Sequence, residues 1–90
     1  MNENNNIATI YAIKDELTGR FMQPFFLKGK THKEEAERLF KSQGSNITLW
    51  KDNANDYSLY QIGNFDEETG YLFTTENNAI LINHLSAYIH

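Results

Sequence analysis

Aromatic rings interleaved with cations are the residues of this chain best suited to chemistry. Tyr11, Phe21, Phe25 and Phe26 precede or flank Lys28, Lys30, Lys33, Arg38 and Lys41. Exposed rings stack nucleobases and Lys or Arg neutralises phosphates, so the pattern would serve a protein that holds single strands. The same residues would also build an ordinary core with a solvated basic surface, and the pattern taken alone favours that plainer reading.

Other constellations carry less. Gly29-Lys30-Thr31 copies the end of a phosphate-binding loop, but position 24 is proline where the motif needs a glycine. His32 and Glu35 lie one helical turn apart, short of the three or four convergent ligands of a metal site. Asp52-Asn53-Ala54-Asn55-Asp56 resembles a calcium loop but lacks the required glycine and places Ala54 at a ligand position. Asn46-Ile47-Thr48 is a glycosylation sequon only in a secreted chain. No nucleophile-elbow sequence supports a Ser/His/Asp arrangement. The expectation is a protein with no catalytic residues, no metal site and no cofactor.

These residues need elements to position them. Ile7–Ile13 alternates two largely apolar faces, which suits a central strand covered on both sides. A polar connection containing Gly19 leads to a second strand, Phe21–Lys28, in which Pro24 demands an edge position or a bulge. Thr31 and Glu34 spell a capping box, so a helix is predicted from about His32 to Gln43. Ala36, Leu39 and Phe40 form its apolar stripe, Glu34/Arg38 and Glu37/Lys41 its ion pairs, and Gly44 its stop. The polar stretch Ser45–Asp56, anchored by Ile47, Leu49 and Trp50, should wrap a sheet edge. Tyr57 to about Phe65 reads as a strand in which Leu59 and Ile62 have opposite parity, so either both faces are covered or Gly63 marks a bulge. Asp66–Gly70 turns the chain into a fourth strand, Tyr71–Thr75. In Ala79–His90, Leu81, Leu85 and Tyr88 fall at near-helical spacing and suggest a short C-terminal helix or tail. The expected fold is therefore α+β: a flexible terminus over 1–6, then one domain over 7–90. That domain has an antiparallel sheet of about four strands in the order ββαββ, with one main helix packed on it.

Composition narrows the class. Ninety residues support one core, and 40% hydrophobic with 22% charged residues is ordinary for a globular protein. Cysteine is absent, which excludes disulfides and thiolate metal sites. Apolar runs such as Ala79–Ile82 are far too short to span a membrane, and no signal peptide is evident, so no membrane partner and a cytoplasmic location are expected. All eight Lys and Arg lie between Lys14 and Lys51, where five acids leave a balance of +3. From Asp52 onward six acids and no cations leave −6, and Glu3 supplies the rest of the net −4. That asymmetry could present a basic face to nucleic acid or simply mix on the folded surface.

The chain resembles the small non-structural protein of gokushoviruses and related microviruses, phages with single-stranded DNA genomes. The resemblance is carried by Ile10-Tyr11-Ala12-Ile13-Lys14-Asp15, by Gln23-Pro24-Phe25-Phe26, by Ala36, Arg38 and Phe40 in an Ala-x-Arg-x-Phe pattern, and by Asp56 through Asp66 with Thr69-Gly70. It implies a non-structural accessory protein in the host cytoplasm, acting in replication or packaging of single-stranded DNA, and it supplies no catalytic residues. Joined to the cation pattern, it makes single-stranded DNA the expected partner, contacted by Lys28, Lys30, Lys33, Arg38, Lys41, Phe25 and Tyr11. A homodimer would bring two such faces together and offset the negative net charge. The alternative is an adaptor that recruits phage or host replication proteins through Asp52, Asp56, Asp66, Glu67 and Glu68, without DNA affinity of its own.

Overall fold

A computed structural model describes residues 6–74 and 79–88. In it the chain forms an antiparallel sheet of six strands: β1 (Ile7–Asp15), β2 (Arg20–Phe21), β3 (Phe25–Leu27), β4 (Tyr57–Asp66), β5 (Leu72–Thr74) and β6 (Ile80–His84). Between β3 and β4 lie α1 (His32–Asn46), α2 (Thr48–Asp52) and a 3-10 turn at Ala54–Asp56; a second 3-10 turn, Leu85–Ala87, follows β6. The α+β class agrees with the sequence, but the sheet has six strands, not about four. The reason is that both edges are broken. β2 and β3 share the outer edge of β1, and β5 and β6 share the outer edge of β4.

The first break falls where proline requires it. Lys14 pairs with Phe21 but Ile10 pairs with Phe26, so one extra residue is absorbed around Met22–Pro24. Met22 still donates to the Ile13 carbonyl at 2.7 Å, and Pro24, which has no donor, sits in the gap. The second break corrects the C-terminal expectation. Residues 80–84 are a strand, not a helix, because the free edge of β4 offers their backbone partners from Ser58 to Gln61. The proposed flexible terminus over 1–6 lies outside the described residues except for Asn6, whose carbonyl accepts from the Glu67 backbone.

The two long strands carry the sheet. β1 and β4 pair over their whole lengths, with Ile62 inserted as an extra residue between Gln61, opposite Tyr11, and Gly63, opposite Ile10. This bulge explains why Leu59 and Ile62 change parity. Gly63 is needed for a further reason: a Cβ there would collide with the Phe73 carbonyl oxygen on β5.

All helical elements lie on one side of the sheet. Tyr11, Ile13, Tyr57 and Leu59 point into a cluster closed by Ala36 and Phe40 of α1, Trp50 of α2 and Leu85. Trp50 stacks on Tyr57 with centroids 4.6 Å apart, which is why the polar stretch after α1 folds back as a short helix. The helix itself departs from expectation at several points. Thr31 makes no side-chain cap bond, Arg38 pairs with Glu35 rather than Glu34, and Glu37 accepts from the Tyr88 hydroxyl. Its buried stripe is Ala36, Phe40 and Gly44, while Leu39 is exposed. Gly44 does not stop α1; it lies inside it, where an added Cβ would come within 2.5 Å of a Leu85 methyl.

Candidate nucleic-acid interface

Strand alternation sorts the aromatic residues onto two sides. Tyr11 and Phe25 share the helical side. Tyr11 is fully buried, stacks against Phe25 at 6.1 Å and shares a 2.7 Å hydrogen bond with His32 Nδ1. Burial, helped by the charges of Glu34 and Glu37, pushes its phenol above the usual range. These two rings therefore shape the core beneath α1, and Tyr11 presents no surface to a ligand. His32 is committed to Tyr11, and Glu35 to Arg38.

Phe21 and Phe26 face the other way, and there the sheet is open among the described residues. Ala8, Ile10, Ala12 and Lys14 of β1 form its central row, flanked by Phe21 and Phe26 on one side and Tyr60, Gly63 and Phe65 on the other. Phe26 meets Phe65 edge to face at 5.8 Å, and Phe21 meets Tyr60 likewise at 5.5 Å. Each pair leans over β1, which explains how Ala8, Ile10 and Ala12 are buried with no helix above them among the described residues, and why two of the three are alanine. One ring of each pair stays accessible: Phe21 is 45% and Phe26 50% exposed. Leu72 and Leu81, opposite Phe65 and Tyr60, continue the apolar surface to the far edge.

Two cations stand on this face. Lys14 Nζ lies 5.4 Å from the Phe21 centroid and 5.5 Å from that of Tyr60, a geometry favourable to cation–π attraction. It also sits 3.6 Å from Glu16, which accepts a 2.7 Å bond from the Tyr60 hydroxyl. That bond, with further help from Ser58 and Lys14, holds the Glu16 carboxyl below its usual range. Burial, together with the hydrogen bond to and charge of Glu16, pushes Tyr60 up to about 12. A shallow pocket of about 390 Å³ opens here, lined by Lys14, Phe21, Tyr60 and Ala79. At the other end Lys28, one residue past β3, reaches Glu67 at 2.7 Å across the solvent-exposed rim.

The remaining cations lie elsewhere. Lys30 is in the connection before α1, and Lys33, Arg38 and Lys41 are carried by α1 among Glu34, Glu35 and Glu37, so the helix has no net charge. The five acids of the adaptor expectation are also divided. Asp52 and Asp56 precede β4, whereas Asp66, Glu67 and Glu68 cluster at its far end, about 30 Å away for a ten-residue strand. Among the described residues no group of three or more His, Asp or Glu could hold a metal ion, and no helix is long and apolar enough to cross a membrane.

Comparison with known families bears on the fold as a unit. Residues 8–87, which include all of β4 and α1, both broken edges and all but the first residue of β1, match the family described as Phage ORF5 protein. The chain belongs to that phage family. No curated protein and no solved structure matches it. For this member of the ORF5 family, a phage protein, the sequence reasoning had named Phe21 and Phe26 among its ring candidates. It missed Lys14, Tyr60 and Phe65, which lie far from the basic segment or at its border. Their signal was the register of β1 with β4, which residue types do not reveal.

Proposed function

We propose that this phage protein is a non-enzymatic accessory factor that binds single-stranded DNA during genome replication or packaging, with the bases lying on the open face of the sheet. The observation that carries the reading is the two aromatic contacts Phe21–Tyr60 and Phe26–Phe65, in each of which the phenylalanine from the edge strand is half-exposed, on a face that no helix covers among the described residues. Sheet-borne rings of this kind stack unpaired bases, each worth about 1–3 kcal/mol. Lys14 and Lys28 supply phosphate contacts from the same face. The pair formed by Lys28 and Glu67 is exposed and therefore worth little, so a phosphate can displace the carboxylate at small cost. The helix cations Lys33, Arg38 and Lys41 lie beyond the sheet from these rings and contribute at most a distant field.

The adaptor reading draws less support, since its acids are split between the two ends of β4. Anisotropy of a labelled single-stranded oligonucleotide tests the proposal. Binding at low salt should weaken by about tenfold in F26A, the loss of one stacked ring. A folded wild-type protein with no affinity at low salt would remove DNA from the account and leave the adaptor.

A further inference from the structure

We infer that the open face holds DNA at two base-stacking stations, so that one monomer covers about three to four nucleotides. This rests on the reading above and adds its footprint and its electrostatic device. The Phe26–Phe65 pair is centred over Ala8 and Ile10, and the Phe21–Tyr60 pair over Ala12 and Lys14. Four residues of strand separate the two centres, about 14 Å. A single strand stretched to roughly twice the ~3.4 Å repeat of a duplex strand crosses that gap in two nucleotide steps. Bases one and three stack on the ring pairs, and the middle one spans the gap between them. Lys28 and Lys14 stand near the two ends of this track, about 20 Å apart along β1, where flanking phosphates fall.

Lys14 is the charge shared between protein and ligand. In the free protein its ammonium rests over both rings of the second station and near Glu16, while Glu16 is occupied by the Tyr60 hydroxyl. Glu16 thus acts as the stand-in for a phosphate. A DNA phosphate competes with Glu16 for the Lys14 ammonium at the rim of the second station, and the carboxylate's charge opposes binding.

Oligothymidylates of two, four and six nucleotides, titrated at fixed low salt, test this. Affinity should rise at least about tenfold from dT2 to dT4, as both stations engage one strand, and less than about threefold from dT4 to dT6. F21A should weaken dT4 by about tenfold but dT2 by only about twofold, because the other station still serves a dinucleotide. E16Q keeps an acceptor for Tyr60 and drops the charge, so it should tighten dT4 by about threefold. Circular dichroism confirms that each variant is folded. Equal losses for dT2 and dT4 in F21A, a steady gain with length, or weaker binding by E16Q would overturn the two-station assignment while leaving DNA binding intact. Sedimentation showing a dimer that F21A and F26A dissociate would overturn it as well, by giving the face to a second copy. No binding at any length would remove the function itself.

Discussion

At the scale of single residues, the side chains that looked most reactive were the ones most constrained by packing. Tyr11 and His32 satisfy one another beneath α1, and Gly44 is a close-packing position rather than a helix stop. Local propensity reads glycine after a helical pattern as an end, but the neighbour that demands it, Leu85, lies far along the chain. The Tyr60–Glu16 bond gives the clearest residue-level prediction. Tyr60 is raised to about 12, against an ordinary phenol near 10, by burial first and by Glu16 second. The folded state therefore favours the protonated phenol. Its contribution is complete below pH about 10 and is lost as pH rises from there towards 12. Tyr88, raised likewise to about 12 by burial and its bond to Glu37, adds to the same loss. Urea unfolding between pH 9 and 12 should show stability falling steeply in wild type and less steeply in Y60F, whose remaining slope belongs mainly to Tyr88 and the other buried tyrosines. An identical slope in Y60F would contradict the assignment.

At the scale of elements, β1, α1, β4 and the turn at Asp66–Gly70 were legible because each follows from a local rule: two-faced alternation, helical spacing, β-rich composition, an Asp-rich turn closed by Gly70. The stripe of α1 was legible only in part. Phe40 is fully buried and Leu39 is 37% exposed, although both are apolar and adjacent. The difference is the 100° between successive helical positions, which turns Leu39 away from Tyr11 and Leu59. F40A should therefore destabilise by about 3–5 kcal/mol and L39A by less than about 1, as read from urea midpoints. The C-terminal strand was not legible. Leu81, Leu85 and Tyr88 fall at near-helical spacing, and only the free edge of β4 makes 80–84 a strand.

At the scale of the whole molecule, charge counting and topology point in different directions. The sequence locates every cation within one segment, yet folding spreads them over two sides of the sheet and surrounds those on α1 with carboxylates. Binding through the open face with Lys14 and Lys28 as phosphate contacts should give a shallow salt dependence, a slope of log affinity against log salt near about −1.4. A footprint on Lys28, Lys30, Lys33, Arg38 and Lys41 would instead give about −3.5, and K41E would then weaken binding as much as K14E. Titrations at several salt concentrations distinguish the two surfaces directly.

By itself the sequence determined an α+β unit, its central strand and its main helix, since these depend on periodicity and backbone chemistry within short windows, and it offered a bulge at Gly63 as one of two ways to reconcile Leu59 with Ile62. It also determined that rings and cations would be available. Only the tertiary structure decided which rings face solvent. Alternation divides β1 into two sides without saying which of them α1 will cover, and that choice depends on contacts between Phe40, Trp50 and Leu85, residues far apart in the chain. Once the helices took the side of Tyr11 and Phe25, the aromatic surface left open was that of Phe21, Phe26, Tyr60 and Phe65.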